Sequence, residues 1–223
     1  MSSIYKNIIF DLDGTLLDPK VGVINSVKFT TRSLGLPDIP EPVIVSFIGP
    51  PIRNSLQQYF NLDDLQADAA ESIFRSRYKD VDLFFATVYN GIYDMLTVLS
   101  NNQICLSVAT YKREDYAVQL LEYFNLASFF SHIHGSDNKT KKTKSEIIKH
   151  CLKDIRSKND DAIILVGDTR HDAEGAKEMN IEFVGVTYGY GFKSEEDFFD
   201  LPYLEAASNV DGLKEILLKW CCE

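Results

Sequence analysis

Short apolar runs alternate with segments of helical period along most of the chain. The runs are NIIFD (7–11), ICLSVAT (104–110), AIILVGD (162–168) and IEFVGV (181–186), with FFSHIHG (129–135) a weaker fifth. Between them, Ala117, Leu120, Leu121 and Phe124 recur at helical spacing. Ile147, Ile148, Cys151, Leu152 and Ile155 do much the same, as do Leu213, Ile216, Leu217 and Trp220. A strand that is apolar on both faces belongs inside a parallel sheet, where crossover helices cover both sides. The alternation therefore predicts an α/β fold, a parallel sheet layered between helices.

One stretch departs from this pattern. From about Pro19 to Phe85 the chain reads as helices without a strongly buried strand. Asp18 before Pro19 has the form of a helix cap followed by Pro in the first turn, opening a helix to roughly Leu34. The Pro-rich GLPDIPEP then interrupts, and helix-like sequence resumes around 53–59 and 65–78. The expected organisation is an α/β domain made of residues 1–17 and 86–223, with residues 18–85 inserted as a small all-helical domain. An insert placed directly after the first strand is expected above the strand ends, where open parallel sheets bind ligands.

Composition narrows the partners. With 23 basic against 33 acidic residues the net charge is −10, without the basic excess that a nucleic-acid binder needs. A small anionic substrate stays compatible, because a local cation overrides the global field. No apolar stretch reaches the length of a membrane span. The start MSSIYKN has no apolar targeting region, so a cytoplasmic location is expected. Cys105, Cys151, Cys221 and Cys222 form no C-x-x-C pair and are expected as reduced thiols.

The chemistry is concentrated where the apolar runs end. The first ends in Asp11 and Asp13, the second in Thr110, and the run at 162–168 in Asp168. Parallel strands point their C-terminal ends the same way, so these groups converge at one sheet edge. Carboxylates gathered out of water repel one another and cost several kcal/mol unless a cation, proton or hydrogen bond compensates. A hard divalent cation with oxygen ligands resolves this, and Mg2+ is the usual choice beside phosphate. Each residue also has a plainer reading. Asp13 before Gly14 suits a turn, Asp168 before Thr169 could cap the next helix, and Asp172 could complement that helix's dipole. Their joint placement is what favours a site.

These pieces, taken in order, resemble the signatures of the haloacid dehalogenase-like phosphohydrolase superfamily. DLDGT at 11–15 matches the D-x-D-G-T motif, and Thr110 in VATYK matches the second motif. Lys144 in TKSEIIKH matches the third, and VGDTRHD at 166–172 matches the acidic fourth motif, G-D-x-x-x-D. The third motif departs from its usual Lys-Pro-x-Pro, since Ser145 follows Lys144. Lys139, Lys141 and Lys142 lie close by, and Lys144 is preferred because it opens the Ile147/Ile148 helix. FIGPPIRNSL and VTYGYGF look most like the phosphoglycolate phosphatase-like branch. The resemblance implies a Rossmann-like core with a helical cap domain inserted after the first strand.

It also implies roles. Asp11 would be the nucleophile that forms an aspartyl-phosphate. Asp13 would protonate the leaving oxygen and later take a proton from water. Mg2+ would be held by Asp11, by the backbone carbonyl of Asp13 and by Asp168, with Asp172 supporting its water shell. Gly14 would allow close backbone approach to the phosphate, and Thr110 and Lys144 would neutralise its oxygens. The implied activity is a Mg2+-dependent phosphatase acting on a small phosphorylated metabolite such as 2-phosphoglycolate. A phosphosugar mutase of the β-phosphoglucomutase type would use the same two aspartates. A non-catalytic phospho-accepting domain is disfavoured, because such domains are shorter and place their Asp on a later strand. Outside the motifs, Arg53 could meet a substrate anion or face solvent, and Lys112 could reach the site or face solvent. His132 and His134 lack the partners of a zinc site, and GYGF (189–192) reads as a loop.

Overall fold

The computed structural model describes residues 5–137, 142–156 and 162–222. The chain groups into two compact units, Met1–Leu17 with Val88–Glu223, and Asp18–Thr87. Strand β1 (Asn7–Phe10) and the short β2 (Leu17–Asp18) come first. Helices α1 (Lys20–Ser33), α2 (Glu41–Val45), α3 (Ile52–Phe60) and α4 (Asp64–Arg77) follow. After β3 (Thr87–Val88) come α5 (Ile92–Asn101), β4 (Cys105–Arg113), α6 (Glu114–Tyr123), β5 (His132–Ser136) and α7 (Lys144–Arg156). The last elements are β6 (Ile163–Gly167), α8 (Arg170–Met179), β7 (Glu182–Val186), β8 (Glu205–Ala207) and α9 (Val210–Cys222).

The larger unit holds a six-stranded sheet in the order β5-β4-β1-β6-β7-β8. Its neighbouring strands pair in parallel, which makes the fold the α/β class that the apolar runs predict. β1 lies inside the sheet, with β4 on one side and β6 on the other. The chain builds outward from β1 to β4 and β5, then crosses back to β6, so the direction of winding reverses beside β1. A sheet of this topology leaves a crevice at the carboxyl ends of its inner strands. The register pairs Phe10 with Val108 on one side and with Val166 on the other, so β1 and β6 end within a residue of each other while β4 runs on to Arg113.

Successive side chains along β1 face opposite sides of the sheet. Ile9 joins Leu165, Phe183, Ile147, Ile148 and Cys151 in one buried cluster beneath α7 and α8. Phe10 points the other way and meets Phe130 edge to face. Burying side chains of this size stabilises the fold by about 1.5–3 kcal/mol each. That rigid, apolar frame is what can hold unfavourable charges at its edge. The sixth strand, β8, was not among the apolar runs, because EAA is too short and too polar to stand out. No helix among the described residues is long and apolar enough to cross a membrane, and the four cysteines are free.

The smaller unit is helical. α1 and α3 both pack on α4. Asp63 caps α4 through a reciprocal box with Gln66, each side chain taking the other's backbone N–H. Asp18 is not the cap residue of α1. Pro19 holds that position, and Asp18 Oδ1 accepts from Lys20 N at 2.8 Å, so its carboxylate still satisfies a first-turn N–H. GLPDIPEP is not wholly irregular either, since Glu41 and Pro42 open the short helix α2. Buried Asp82 accepts from Ser26 Oγ at 2.9 Å and Arg77 Nε at 2.8 Å, which compensates its charge.

Candidate active site

β1 stops at Phe10, and the next backbone N–H, that of Asp11, donates to Val166 O at 2.8 Å. The bond fixes the Asp11 carboxylate at the β1–β6 seam, where it is buried. The chain then turns sharply, with the Leu12 carbonyl accepting from Thr15, Leu16 and Leu17. Gly14 sits in this turn at φ +82°, a conformation that L side chains rarely adopt. A Cβ there would lie 2.3 Å from Asp168 Oδ2, so only Gly lets the two strand ends close on each other. The Gly14 N–H is already committed to Leu17 O at 2.8 Å.

At the end of β6, Asp168 is completely buried. Its Oδ2 accepts from the backbone of Tyr190 at 2.6 Å and of Gly191 at 3.2 Å. Its Oδ1 is buried with no hydrogen-bond partner among the described residues. The GYGF segment is a loop, but it wraps this carboxylate instead of lying idle. Gly189 is required there because a Cβ would strike Asp168 Oδ2 and Gly14 O, each at 2.4 Å. Asp168 does not cap α8. Thr169 does, in a capping box completed by Asp172, whose Oδ2 accepts from Thr169 N at 3.0 Å and Thr169 Oγ1 at 2.6 Å.

Lys144, the first residue of α7, ties these ends together. Its Nζ lies 2.6 Å from Asp11 Oδ1 and 2.6 Å from Asp172 Oδ1. Its backbone N–H donates to the Tyr111 hydroxyl at 3.0 Å. Tyr111 belongs to a part of β4 that the sequence reading missed. β4 does not end at Thr110 but continues to Arg113, and its register on β5 shifts between Ala109 and Arg113. Such irregularities re-aim side chains next to active sites. Here the irregular segment delivers buried Thr110, whose Oγ1 accepts from Lys112 N at 3.2 Å. It also delivers Lys112, whose Nζ lies 2.7 Å from Asp13 Oδ2.

The electrostatics of this cluster are lopsided. Burial pushes the Asp11 carboxyl up to about 6; Lys144 opposes the rise, and Asp172 and Asp13 add to it. Burial, with Asp172 and Asp11 close by, pushes Asp168 up to about 8 against the pull of the Tyr190 and Gly191 amides. For Lys144, burial works against the charge, but Asp11 and Asp172 outweigh it and hold the ammonium above its ordinary value. Asp11, Asp168 and Asp172 each bring a carboxylate oxygen within 4.8 Å of the others. Ionised together with Asp13, these carboxylates exceed Lys112 and Lys144 by two negative charges. That excess equals the charge of one divalent cation. The unpartnered Asp168 Oδ1 and the all-oxygen donor set fit a hard ion such as Mg2+.

Of the residues singled out from sequence, Asp11, Lys144 and Asp172 meet in direct contact, and Asp168 closes the acidic group. Asp13 is linked to Lys112, and Thr110 and Gly14 line the same strand ends. Arg53 is not solvent-exposed. It is buried and bonded to Asp68, Asp64 and Gln57. His132 and His134 share Asp154, at 3.9 and 2.9 Å, and the aspartate trio is the only three-ligand group among the described residues. Lys142 pairs with Asp137, while Lys139 and Lys141 fall outside the described residues. Tyr111 and Tyr188, whose hydroxyl donates to Thr15 O at 2.9 Å, were missed. No spacing rule marks an aromatic as the support of a site.

Known proteins resemble this chain over most of its length. Residues 8–186 match the family model described as haloacid dehalogenase-like hydrolase. A 5'-nucleotidase of Pseudomonas aeruginosa is 34% identical over 214 residues, covering 96% of this chain and 96% of that protein. A phosphoglycolate phosphatase of Neisseria meningitidis is 32% identical over 190 residues, covering 82% and 81%. A solved structure of a predicted phosphatase from Clostridium acetobutylicum superposes with a TM-score of 0.89 at 34% identity, covering 97% of this chain and 100% of that one.

Proposed function

The chain belongs to the haloacid dehalogenase-like hydrolases, and we propose that this phosphoric monoester hydrolase works with Mg2+ on a small phosphomonoester through an aspartyl-phosphate on Asp11. The observation behind this reading is the Asp11 carboxylate itself. It is buried at the end of β1, fixed by Lys144 at 2.6 Å, and set beside two further carboxylates that need a cation. A group costly to bury and held so firmly suits a nucleophile that must meet phosphorus in one orientation.

Asp11, the backbone carbonyl of Asp13 and Asp168 would hold the ion, with Asp172 supporting its water shell. When bound, Mg2+ supplies charge that shields the carboxylates from an incoming phosphate. Asp11 attacks phosphorus as the leaving oxygen departs, and Asp13 gives that oxygen a proton. Asp13 then takes a proton from the water that hydrolyses the acyl-phosphate, which frees Asp11. Lys144 and Thr110 neutralise the phosphoryl oxygens, where negative charge builds in the transition state. Lys144 also limits how far burial raises the Asp11 carboxyl, because its ammonium opposes that rise.

A phosphoglycolate-like acid is the leading substrate class, supported by the relative of that name. A nucleoside monophosphate is the second, since the 5'-nucleotidase shares 34% identity across nearly the whole chain. The test is a panel of both classes with Mg2+, with EDTA and with Asp11→Asn. Hydrolysis that needs Mg2+ and disappears in Asp11→Asn is expected. Hydrolysis that survives Asp11→Asn would sink the mechanism.

A further inference from the structure

The two carboxylate oxygens of Asp13 are not equivalent. Oδ2 lies 2.7 Å from Lys112 Nζ. Oδ1 is buried and has no hydrogen-bond partner among the described residues. The Lys112 side chain is only 6% exposed, so its ammonium is kept out of water and held against a carboxylate. Its backbone is held as well, through Lys112 N to Thr110 Oγ1 at 3.2 Å, inside the irregular part of β4. In a regular strand, successive residues alternate between faces. Thr110 and Lys112, two residues apart, therefore share a face and reach the same strand-end cluster.

We propose that Lys112 is a positioning residue for the hydrolysis: by gripping Oδ2 of Asp13 it leaves Oδ1 as the oxygen that exchanges the proton. This rests on the reading of Asp11 and Asp13 given above. In the first half-reaction the Asp11–phosphorus bond forms as the ester P–O bond breaks, and the proton on Oδ1 passes to the leaving oxygen. In the second, the water oxygen bonds to phosphorus as the Asp11–phosphorus bond breaks, and the water proton returns to Oδ1. Oδ2 accepts from the Lys112 ammonium whether Oδ1 carries the proton or not. The carboxyl therefore keeps one orientation through both steps. Without that grip, Asp13 could rotate and present the proton off line, and small misplacements of a catalytic group are costly.

The experiment compares wild type, Lys112→Gln, Lys112→Arg, Asp13→Asn and the double variant Lys112→Gln/Asp13→Asn in Mg2+. Each is assayed on p-nitrophenyl phosphate, whose leaving group needs little protonation, and on the alkyl ester 2-phosphoglycolate. On the alkyl ester, Lys112→Gln is expected to lower kcat by roughly 10- to 100-fold, a share of what a general acid supplies. KM should stay within about threefold, as expected when only transition-state interactions are lost. The loss on p-nitrophenyl phosphate should be several times smaller. Lys112→Arg should recover most of the rate, and Lys112→Gln should cost nothing further in the Asp13→Asn background, since the two act as one unit. Lys112→Met, which keeps the apolar stem, replaces Lys112→Gln if that variant does not fold. Equal losses on both esters, a raised KM with kcat unchanged, or losses that multiply in the double variant would each overturn the proposal. If Asp11→Asn stays active, the parent reading fails and this proposal falls with it. If only the Lys112 series behaves otherwise, Lys112 alone has been misassigned.

Discussion

Lys144 and Asp172 form an ion pair at 2.6 Å with both side chains almost wholly removed from water. The same ammonium reaches Asp11 at 2.6 Å, so one cation serves two carboxylates, one just past β1 and one in the first turn of α8. Removing one partner of a buried pair costs more than the pair contributes, because the remaining charge is left uncompensated. Lys144→Met should therefore lower metal-free stability by about 3 kcal/mol. Mg2+ should restore more stability to this variant than to wild type, since added positive charge replaces what was removed. Denaturant unfolding with and without Mg2+ measures both effects. A variant as stable as wild type in EDTA would show that Lys144 does not balance the cluster.

Asp13 and Asp168 should part company when metal affinity and turnover are measured separately. The proposed metal ligand at position 13 is a backbone oxygen, while Asp168 offers a buried carboxylate oxygen with no other partner. Asp13→Asn should slow turnover by roughly 10²- to 10⁴-fold, the range of general acid–base catalysis, with Mg2+ affinity close to wild type. Asp168→Asn should weaken Mg2+ binding by at least about tenfold, as losses around a metal site commonly do. Calorimetric titration reads the affinity without relying on activity. Equal losses of affinity in the two variants would contradict the assignment.

The raised carboxyls of Asp11 and Asp168 should make metal-free stability depend on pH in an unusual direction. Unfolded, each gives up its proton near 3.8; folded, Asp11 holds it to about 6 and Asp168 to about 8. Between these values the folded state binds more protons, so raising the pH weakens it. The stability linked to this pair is whole below about 3.8 and is lost as pH rises through about 6 and then about 8. Asp168→Asn removes the larger part, so its stability relative to wild type should climb from pH 5 to pH 8.5 in EDTA. Mg2+ should flatten that difference. Thermal melts across the range test this, and a difference independent of pH would refute it.

The sheet and the acidic strand ends were legible because both depend on local sequence. An apolar run such as AIILVGD carries its burial and its terminal Asp168 in one unbroken stretch. Lys144 was legible only through its place before Ile147 and Ile148, beside the three other motifs of the resemblance. Tyr111 was not, and Lys112 stayed open between site and solvent, because where a side chain near the end of β4 points depends on how that strand packs and not on residue type. The GYGF loop was passed over for the same reason. Its glycines answer to the Asp168 carboxylate, a contact more than twenty residues away in sequence. Arg53, read as facing either a substrate anion or solvent, is not exposed but buried and bonded to Asp64 and Asp68, which its residue type alone does not announce.

Arg53 supplies the last prediction, since its two readings differ in what they cost. Its guanidinium is buried, with Nε on Asp68 at 2.5 Å, Nη1 on Gln57 at 2.8 Å and Nη2 on Asp64 at 2.9 Å. Asp64 and Asp68 are largely exposed, so the charge–charge attraction itself is screened and worth little. The larger cost of Arg53→Met lies in the directional hydrogen bonds between α3 and α4, about 1–3 kcal/mol when charged donors are lost. Arg53→Met should lower the unfolding midpoint and hasten proteolysis within 18–87. Arg53→Lys should rescue little, because one ammonium cannot reproduce the planar fork. Limited proteolysis read by mass spectrometry, alongside kcat and KM, separates the alternatives. A large rise in KM with unchanged proteolysis would return Arg53 to the substrate.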